Sequence, residues 1–215
     1  MEKKRGKLYL FTGYAPGAGK SYLMVQRAVE QSEDRKVVIG FLNSDHRDVA
    51  QILKDHHVKR MFRRKYSVKK ILEQHPDVVV MDELGMYGLN KDQKSFVYED
   101  VEVMLQAGID VYASANLKRF QSLNPKFKEI TGIGIKTTIP DSFLEMAEAI
   151  IFVDREPALM RLDFRKGRLF ERERMNSRIM QKNFKLDNLK AYRSLCLKIL
   201  KESYREKLEI HQRNS

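Results

Sequence analysis

A short glycine-rich segment that ends in Gly-Lys-Ser constrains this chain more than any other feature. Residues 13–21 read Gly-Tyr-Ala-Pro-Gly-Ala-Gly-Lys-Ser, after a strand pattern at 8–12 and before a helical pattern at 21–31. Gly17 and Gly19 would let backbone N–H groups point inward around phosphate oxygens, and the start of the following helix adds partial positive charge. The strand–loop–helix context therefore predicts a phosphate-binding loop of the Walker A type, rather than a glycine-rich turn without a ligand.

The residue types in this loop indicate which ligand it takes. Lys20 is expected to bridge the β- and γ-phosphates of ATP, and the Ser21 hydroxyl is expected to ligate Mg²⁺. The strict motif requires Gly six positions before the Lys, where this chain has Tyr14, and the nearest Gly is one position earlier. The loop residues predicted to bind the nucleotide are Gly13, Pro16, Gly17, Ala18, Gly19, Lys20, Ser21 and Tyr22.

Two carboxylates directly follow an entirely apolar strand at 78–81. Asp82 is predicted to hold Mg²⁺ through water, so the expected metal ligands are Ser21 and Asp82. Glu83 is the candidate catalytic residue, a general base that polarises an attacking water. The alternatives are a strand cap for Asp82 and an ordinary exposed glutamate for Glu83. Asn116, at the end of the fourth predicted strand, either senses the γ-phosphate or orients water. The alternative is that it caps a helix or forms a turn.

Apolar runs alternate with helical patterns through most of the chain. This alternation predicts an α/β fold of the P-loop NTPase type, in which helices flank a mainly parallel sheet. One predicted strand separates the loop strand from the acidic strand in sequence, as in P-loop ATPases whose acidic strand does not directly follow the loop strand. The five predicted strands are 8–12, 37–42, 78–81, 109–115 and 150–153, and the main predicted helices between them are 21–31, 48–56, 67–74 and 96–106.

Positive charge is concentrated towards the carboxyl terminus. The formal net charge is +12, and residues 155–215 contain 17 Lys and Arg against 8 Asp and Glu. A helical, Lys- and Arg-rich pattern runs from 179 to 210, with apolar residues at three- and four-residue spacings. We therefore predict a nucleotide-binding domain over 1–170 and a basic helical extension over 171–215, either packed on that domain or projecting from it.

The basic face of this extension has three interpretations. It is either an ordinary solvated helix surface, or a docking face for an acidic partner protein or the anionic inner membrane surface, or a nucleic-acid contact. Nucleic acid is the least favoured, because few aromatic residues accompany the charge.

Other features indicate a cytoplasmic protein. The lone cysteine, Cys196, excludes an internal disulfide and a Cys-rich zinc site. No apolar run approaches the ~18 residues that a membrane-spanning helix needs. The amino terminus is basic, but the apolar stretch behind it is too short for a signal peptide.

An ordered series of short motifs extends over nearly the whole chain. They include the segments 15–22, 82–84, 122–124 and 138–141. On these motifs the chain resembles the N-terminal domain of the KdpD potassium-sensor histidine kinases, over about residues 5–200. The resemblance implies an ATP-binding regulatory module of a two-component potassium response, with a protein partner in that system.

The chain departs from this family at three places. The segment 85–97 lacks the family's His/Asn pair and its Pro-Gly-Ser-Arg-His-Pro-Lys-Arg stretch. After the second strand, Arg47 alone is kept from Glu-Thr-His-Gly-Arg, and Lys118-Arg119 replace Gln-His after Asn116. ATP binding is therefore better supported than hydrolysis, which is expected to be slow if it occurs.

The same observations limit the enzymatic roles that we expect. None of the five histidines precedes an acidic residue, and the chain has no room for a kinase core, so we expect a stand-alone form of the module that is not a histidine kinase by itself. The alternatives are a genuine ATPase or small-molecule kinase, and a nucleic-acid-associated P-loop protein.

Overall fold

Six parallel strands form one sheet at the centre of the chain. The computed structural model describes residues 4–43, 47–132, 134–170 and 175–213, apart from the side chains of Arg47 and Thr131. The strands are β1 (Leu8–Gly13), β2 (Val37–Phe41), β3 (Val78–Met81), β4 (Asp110–Asn116), β5 (Ala149–Arg155) and β6 (Leu208–Arg213). They lie in the spatial order β2-β3-β4-β1-β5-β6, and all neighbouring pairs are parallel. The predicted α/β class with a parallel sheet is thus confirmed.

Helices connect the strands and cover both faces of the sheet. The main ones are α1 (Lys20–Val29), α2 (Arg47–Asp55), α3 (Val68–Glu73), α4 (Val97–Gln106), α5 (Asn124–Thr131), α6 (Ser142–Glu145), α7 (Pro157–Arg165), α8 (Arg178–Asn183) and α9 (Leu186–Ser203).

The apolar sequence of β3 follows directly from its central position. Successive side chains of a strand point to opposite faces. Val78 and Val80 are buried with residues of α1 and α2 on one face. Val79 and Met81 are buried with residues of α4 and the carboxyl-terminal helices on the other. Because helices cover both faces, every position of this strand is buried and apolar.

The strand order brings the predicted functional segments to one edge of the sheet. In parallel strands all carboxyl ends lie at the same edge, and ligands commonly bind there. β4 lies between the loop strand β1 and the acidic strand β3, and its register pairs Asn116 with Gly13 and Ala113 with Met81. The glycine-rich loop, Asn116 and the acidic pair therefore surround the end of β4.

Two parts of the secondary structure differ from the sequence-based expectation. The helical pattern predicted through Ile210 is wrong at its end, because α9 stops at Ser203 and Leu208–Arg213 forms β6. This segment pairs with β5, whose outer edge offers unpaired backbone groups that a strand satisfies and a helix does not. The helices α5, α6 and α7, of eight, four and nine residues, were not predicted.

The apolar face predicted for the carboxyl-terminal helical segment is confirmed. Phe184, Leu189, Tyr192 and Leu200 are buried in the core beside the sheet. The lysines of the opposite face remain exposed, namely Lys182, Lys185, Lys190, Lys198 and Lys201.

The described part of the chain contains neither a disulfide bond nor a membrane-spanning helix. Cys196 lies on the apolar face of α9, is fully buried, and has a free thiol. Within residues 4–43, 47–132, 134–170 and 175–213, no helix combines the length and the apolar character needed to cross a bilayer.

A buried carboxylate ties the carboxyl-terminal elements to the sheet. Asp154 of β5 is 1% exposed and accepts hydrogen bonds from Arg193 Nε at 2.6 Å and Nη2 at 2.7 Å. Gln212 of β6 donates a third, at 3.0 Å. These bonds offset the cost of burying the charge, so α9 and β6 are held by the same side chain.

We predict that Arg193→Met destabilises the protein by about 3 kcal/mol, because it leaves the Asp154 carboxylate buried without its cation. The matched control is Arg5→Met, which breaks the exposed Arg5–Glu102 pair and should cost less than about 1 kcal/mol. Urea unfolding of both variants measures the difference. Equal costs would contradict the structural role of Asp154.

Candidate functional site

The segment between β1 and α1 forms a tight loop, residues 14–19, which we call the glycine loop. Gly17 and Gly19 have φ values of 83° and 105°, in the left-handed region that glycine adopts at little cost. Helix α1 begins at Lys20, so its free N–H groups face the loop. The arrangement offers backbone donors and the positive end of a helix to an anion.

The unusual Tyr14 does not occupy the interior of this loop. Its side chain is buried, its ring lies 6.5 Å from that of Phe152, and its hydroxyl donates to the Arg155 carbonyl at 2.6 Å. Burial also raises the pKa of the Tyr14 hydroxyl, which keeps it a neutral donor. Tyr14 thus fixes the loop to the end of β5, and the departure from the strict motif has a structural explanation.

The two polar residues at the start of α1 each contact a predicted site residue. Lys20 Nζ donates to Asn116 Oδ1 at 3.1 Å, and both side chains are buried. The Ser21 hydroxyl lies 3.0 Å from each carboxylate oxygen of Asp82. Residues that are far apart in sequence therefore converge at the mouth of the glycine loop.

Asp82 is the centre of a hydrogen-bond network. Its carboxylate is 1% exposed and accepts hydrogen bonds from the hydroxyls of Ser21 and Ser114 and, at 3.1 Å, from the Asn43 backbone N–H. Ser114 also accepts a bond from the Glu83 backbone N–H, at 3.1 Å. These partners come from α1, from β4 and from the end of β2, so the position of Asp82 is fixed from three sides.

The oxygen atoms of Ser21 and Asp82 fit a magnesium ion. Mg²⁺ prefers hard oxygen ligands, is commonly bound through one or two carboxylates, and completes its shell with water and substrate phosphates. Among the residues that the structure describes, no cluster of three or more His, Cys, Asp or Glu side chains would hold a metal. A Mg²⁺ ion here would therefore depend on phosphate ligands as well.

Glu83 has an unusual backbone conformation at the edge of this site. Its φ is 55°, a value that costs a non-glycine residue free energy and that clusters at functional sites. Its side chain is half-buried and lines a cleft of about 420 Å³. The cleft lies beside the glycine loop and also contains Pro16, Asn43 and Asn116.

Among its described lining residues, this cleft has two cationic side chains beside a single carboxylate. Lys118 and Arg119 line it together with Glu83, and Arg119 Nη1 donates to Thr137 Oγ1 at 2.9 Å. Although part of its side chain reaches the surface, desolvation lowers the pKa of Lys118 to about 8, helped by the charges of Arg119 and Lys20. An anion in the cleft would relieve this repulsion, so the cleft favours anionic ligands.

The segment 85–97, which departs from the family pattern, is held by another buried carboxylate. Asp100 of α4 accepts hydrogen bonds from Asn90 at 2.9 Å, from Ser95 at 2.9 Å and from the Tyr66 hydroxyl at 2.6 Å. The residues that replace the family's motif thus have a structural role in this chain.

Sequence reasoning identified part of this site. The glycine loop, Lys20, Ser21, Asp82 and Asn116 lie together at the carboxyl edge of the sheet. Ser114 and the Asn43 backbone were missed as Asp82 partners, because neither belongs to a motif. Lys118 and Arg119 were recognised only as departures from the family pattern. Their position just after Asn116, the last residue of β4, was the signal that could have placed them at the site.

Comparison with known proteins gives a consistent family assignment. The family model described as "KdpD: Osmosensitive K+ channel His kinase sensor domain" matches residues 4–203. Sensor proteins KdpD of Clostridium acetobutylicum and Escherichia coli are 31% and 29% identical to this chain, over 97% and 90% of its length. That of Mycobacterium tuberculosis is 30% identical over 90%. The chain spans about a quarter of the length of these relatives, 23% to 24%.

We predict that Lys118→Met stabilises the ligand-free protein at pH 7 by on the order of 1 kcal/mol, since water at the cleft screens part of the burial penalty. The folded-state pKa of about 8 lies below the ordinary value of 10.5. Below about pH 8 the folded state carries the full free-energy cost of burying the Lys118 charge. Between about pH 8 and 10.5 the free energy of unfolding of the wild type rises with pH. The gain should therefore shrink as the pH approaches 10.5.

Urea unfolding across this pH range tests the Lys118 prediction. Lys126→Met, a change at an exposed lysine of α5, is the matched control. A Lys118→Met variant no more stable than the control at pH 7 would show that this ammonium group is not desolvated.

Proposed function

Since the chain belongs to the KdpD sensor-domain family, we propose that it is a cytoplasmic regulatory module that binds ATP with Mg²⁺ in a two-component potassium response. The observation that carries the ATP-binding proposal is the position of the Ser21 hydroxyl, 3.0 Å from both Asp82 oxygens at the mouth of the glycine loop. A hydroxyl and a carboxylate beside a phosphate-sized loop are the protein ligands that a nucleotide-bound Mg²⁺ uses.

The glycine loop provides the phosphate site in this proposal. The free N–H groups at the start of α1 and the positive-φ backbone at Gly17 and Gly19 supply neutral donors. Lys20 supplies a charge, and its ammonium group donates a hydrogen bond to Asn116. On binding, this ammonium would exchange the amide oxygen for phosphate oxygens, which form stronger, charge-assisted hydrogen bonds.

Asp82 and Ser21 would hold the metal, and Glu83 would act on water. Mg²⁺, when bound with the nucleotide, would neutralise part of the charge of the phosphates. Glu83 lines the cleft next to Asn116. In this proposal its carboxylate orients or deprotonates a water there. We propose that any hydrolysis is slow and serves to reset the bound state.

The exposed lysine face of α9 supports the proposed contact with a partner. Its apolar residues are buried or half-buried, so charge is the main feature that this helix offers to another molecule. An acidic surface of a protein partner in the two-component system, or peripheral contact with the anionic membrane surface, fits this face. The chain spans about a quarter of the length of the relatives compared above. The signalling role of a whole sensor is therefore also a proposal for this chain.

We expect Lys20→Ala to weaken Mg²⁺–ATP binding at least tenfold, about 1.4 kcal/mol or more, because it removes the cation that faces the phosphates. Isothermal titration calorimetry measures the affinity, with Lys126→Ala as a control for the loss of one surface charge. Wild-type protein that bound no ATP at millimolar nucleotide would end the proposal.

Asp82 and Glu83 should separate nucleotide binding from turnover. Asp82→Asn should weaken binding in Mg²⁺ and change it far less in EDTA, because the amide is a poorer metal ligand than the carboxylate. Glu83→Gln keeps the size of the side chain and removes the base, so ATP affinity should be unchanged while any ADP release falls at least tenfold. Calorimetry and a coupled ADP assay measure the two effects, and an unaltered ATPase rate in Glu83→Gln would refute the general-base role.

A further inference from the structure

A second cavity opens beside the glycine loop, on the side of β5 and β6. Its volume is about 570 Å³, within the ordinary range of small-ligand sites. Leu23, Ile52 and Val153 form apolar parts of its wall. Tyr22 and the end of β6, residues 211–213, complete the side next to the loop.

A planar pair of side chains borders this cavity at the loop. The Arg213 guanidinium lies over the Tyr22 ring, 5.2 Å from its centroid. It also touches the loop backbone, since a Cβ atom added at Gly19 would lie 1.8 Å from Arg213 Nη1. Arg213 therefore approaches the loop closely at Gly19, whose own φ of 105° favours glycine.

The direction of a bound nucleotide follows from the two cavities. The metal ligands Ser21 and Asp82, and the cleft with Glu83, lie on the β3–β4 side, where the terminal phosphate would be held. A linear triphosphate that crosses the loop then leaves it near Gly19 and Tyr22, on the β5–β6 side. The nucleoside has to occupy space there, and the second cavity provides it.

We infer that this cavity is the nucleoside-binding site, in which Tyr22 and Arg213 stack against the base; this inference rests on the ATP binding proposed above. Guanidinium groups and phenol rings both stack on heteroaromatic planes. The apolar wall suits the faces of a base, and Asp48, Gln51 and Gln212 at the same cavity offer hydrogen-bonding partners for its edge or for the ribose.

The site draws on a part of the chain outside the family match. The family model ends at residue 203, whereas β6 spans Leu208–Arg213. β6 is held in place by its pairing with β5 and by the Gln212–Asp154 hydrogen bond. Recognition of the base thus depends on the terminal strand of this chain, while the phosphates depend on the loop.

The experiment compares Mg²⁺–ATP with Mg²⁺–tripolyphosphate, which has the phosphates but no nucleoside. We expect the wild type to bind ATP at least about tenfold more tightly than tripolyphosphate, the difference that stacking and burial of the base supply. Tyr22→Leu keeps an apolar side chain without the ring, and Arg213→Lys keeps the charge without the planar group. Both should reduce ATP affinity about fivefold to tenfold and leave tripolyphosphate affinity within about twofold.

Arg205→Ala, at an exposed arginine of the same terminal segment, is the control and should bind both ligands as the wild type does. Thermal unfolding verifies that each variant is folded at the temperature of the titration. A wild type that does not prefer ATP, or variants that keep the full preference, would overturn the nucleoside site and leave the phosphate site intact. A wild type that binds neither ligand would overturn the proposed ATP binding and this inference together.

Discussion

The burial of the Asp82 carboxylate at the end of β3 is the constraint on which the site depends. An ionised group removed from water costs several kcal/mol unless it is hydrogen-bonded, so Asp82 requires donors at fixed positions. Ser21, Ser114 and the Asn43 backbone provide them, from α1, β4 and the end of β2. The hydrogen bonds to this one carboxylate therefore fix the start of α1 relative to the sheet, and with it the shape of the glycine loop.

The parts of the fold that sequence reasoning predicted are those with a strong local signal. Val78–Met81 is apolar at every position because helices cover both faces of the sheet, and such a run is visible without a structure. The Gly-Lys-Ser segment was equally clear, since its flanking strand and helix limited its conformation. The spatial order of the strands was less accessible, because it depends on which edges pair after the chain has folded.

The parts that were missed depend on distant contacts. β6 reads Leu-Glu-Ile-His-Gln-Arg and continues the spacing of a basic helix, and what makes it a strand is the open edge of β5. Arg213 acquires its place against Gly19 through that pairing, so no motif could have identified it. Lys118 was visible as a change from the family pattern, yet the desolvation that lowers its pKa to about 8 comes from the walls of the cleft.

Two consecutive residues of β5 connect the glycine loop to the carboxyl-terminal elements. The Asp154 side chain holds α9 and β6 through Arg193 and Gln212. The Arg155 carbonyl accepts the Tyr14 hydroxyl, and its guanidinium, paired with Asp163, comes within 3.5 Å of the Gly17 carbonyl. A phosphate in the loop would add negative charge beside this guanidinium and compete with Asp163 for it. The contacts that hold the glycine loop and the contacts that anchor α9 and β6 therefore meet at one strand end.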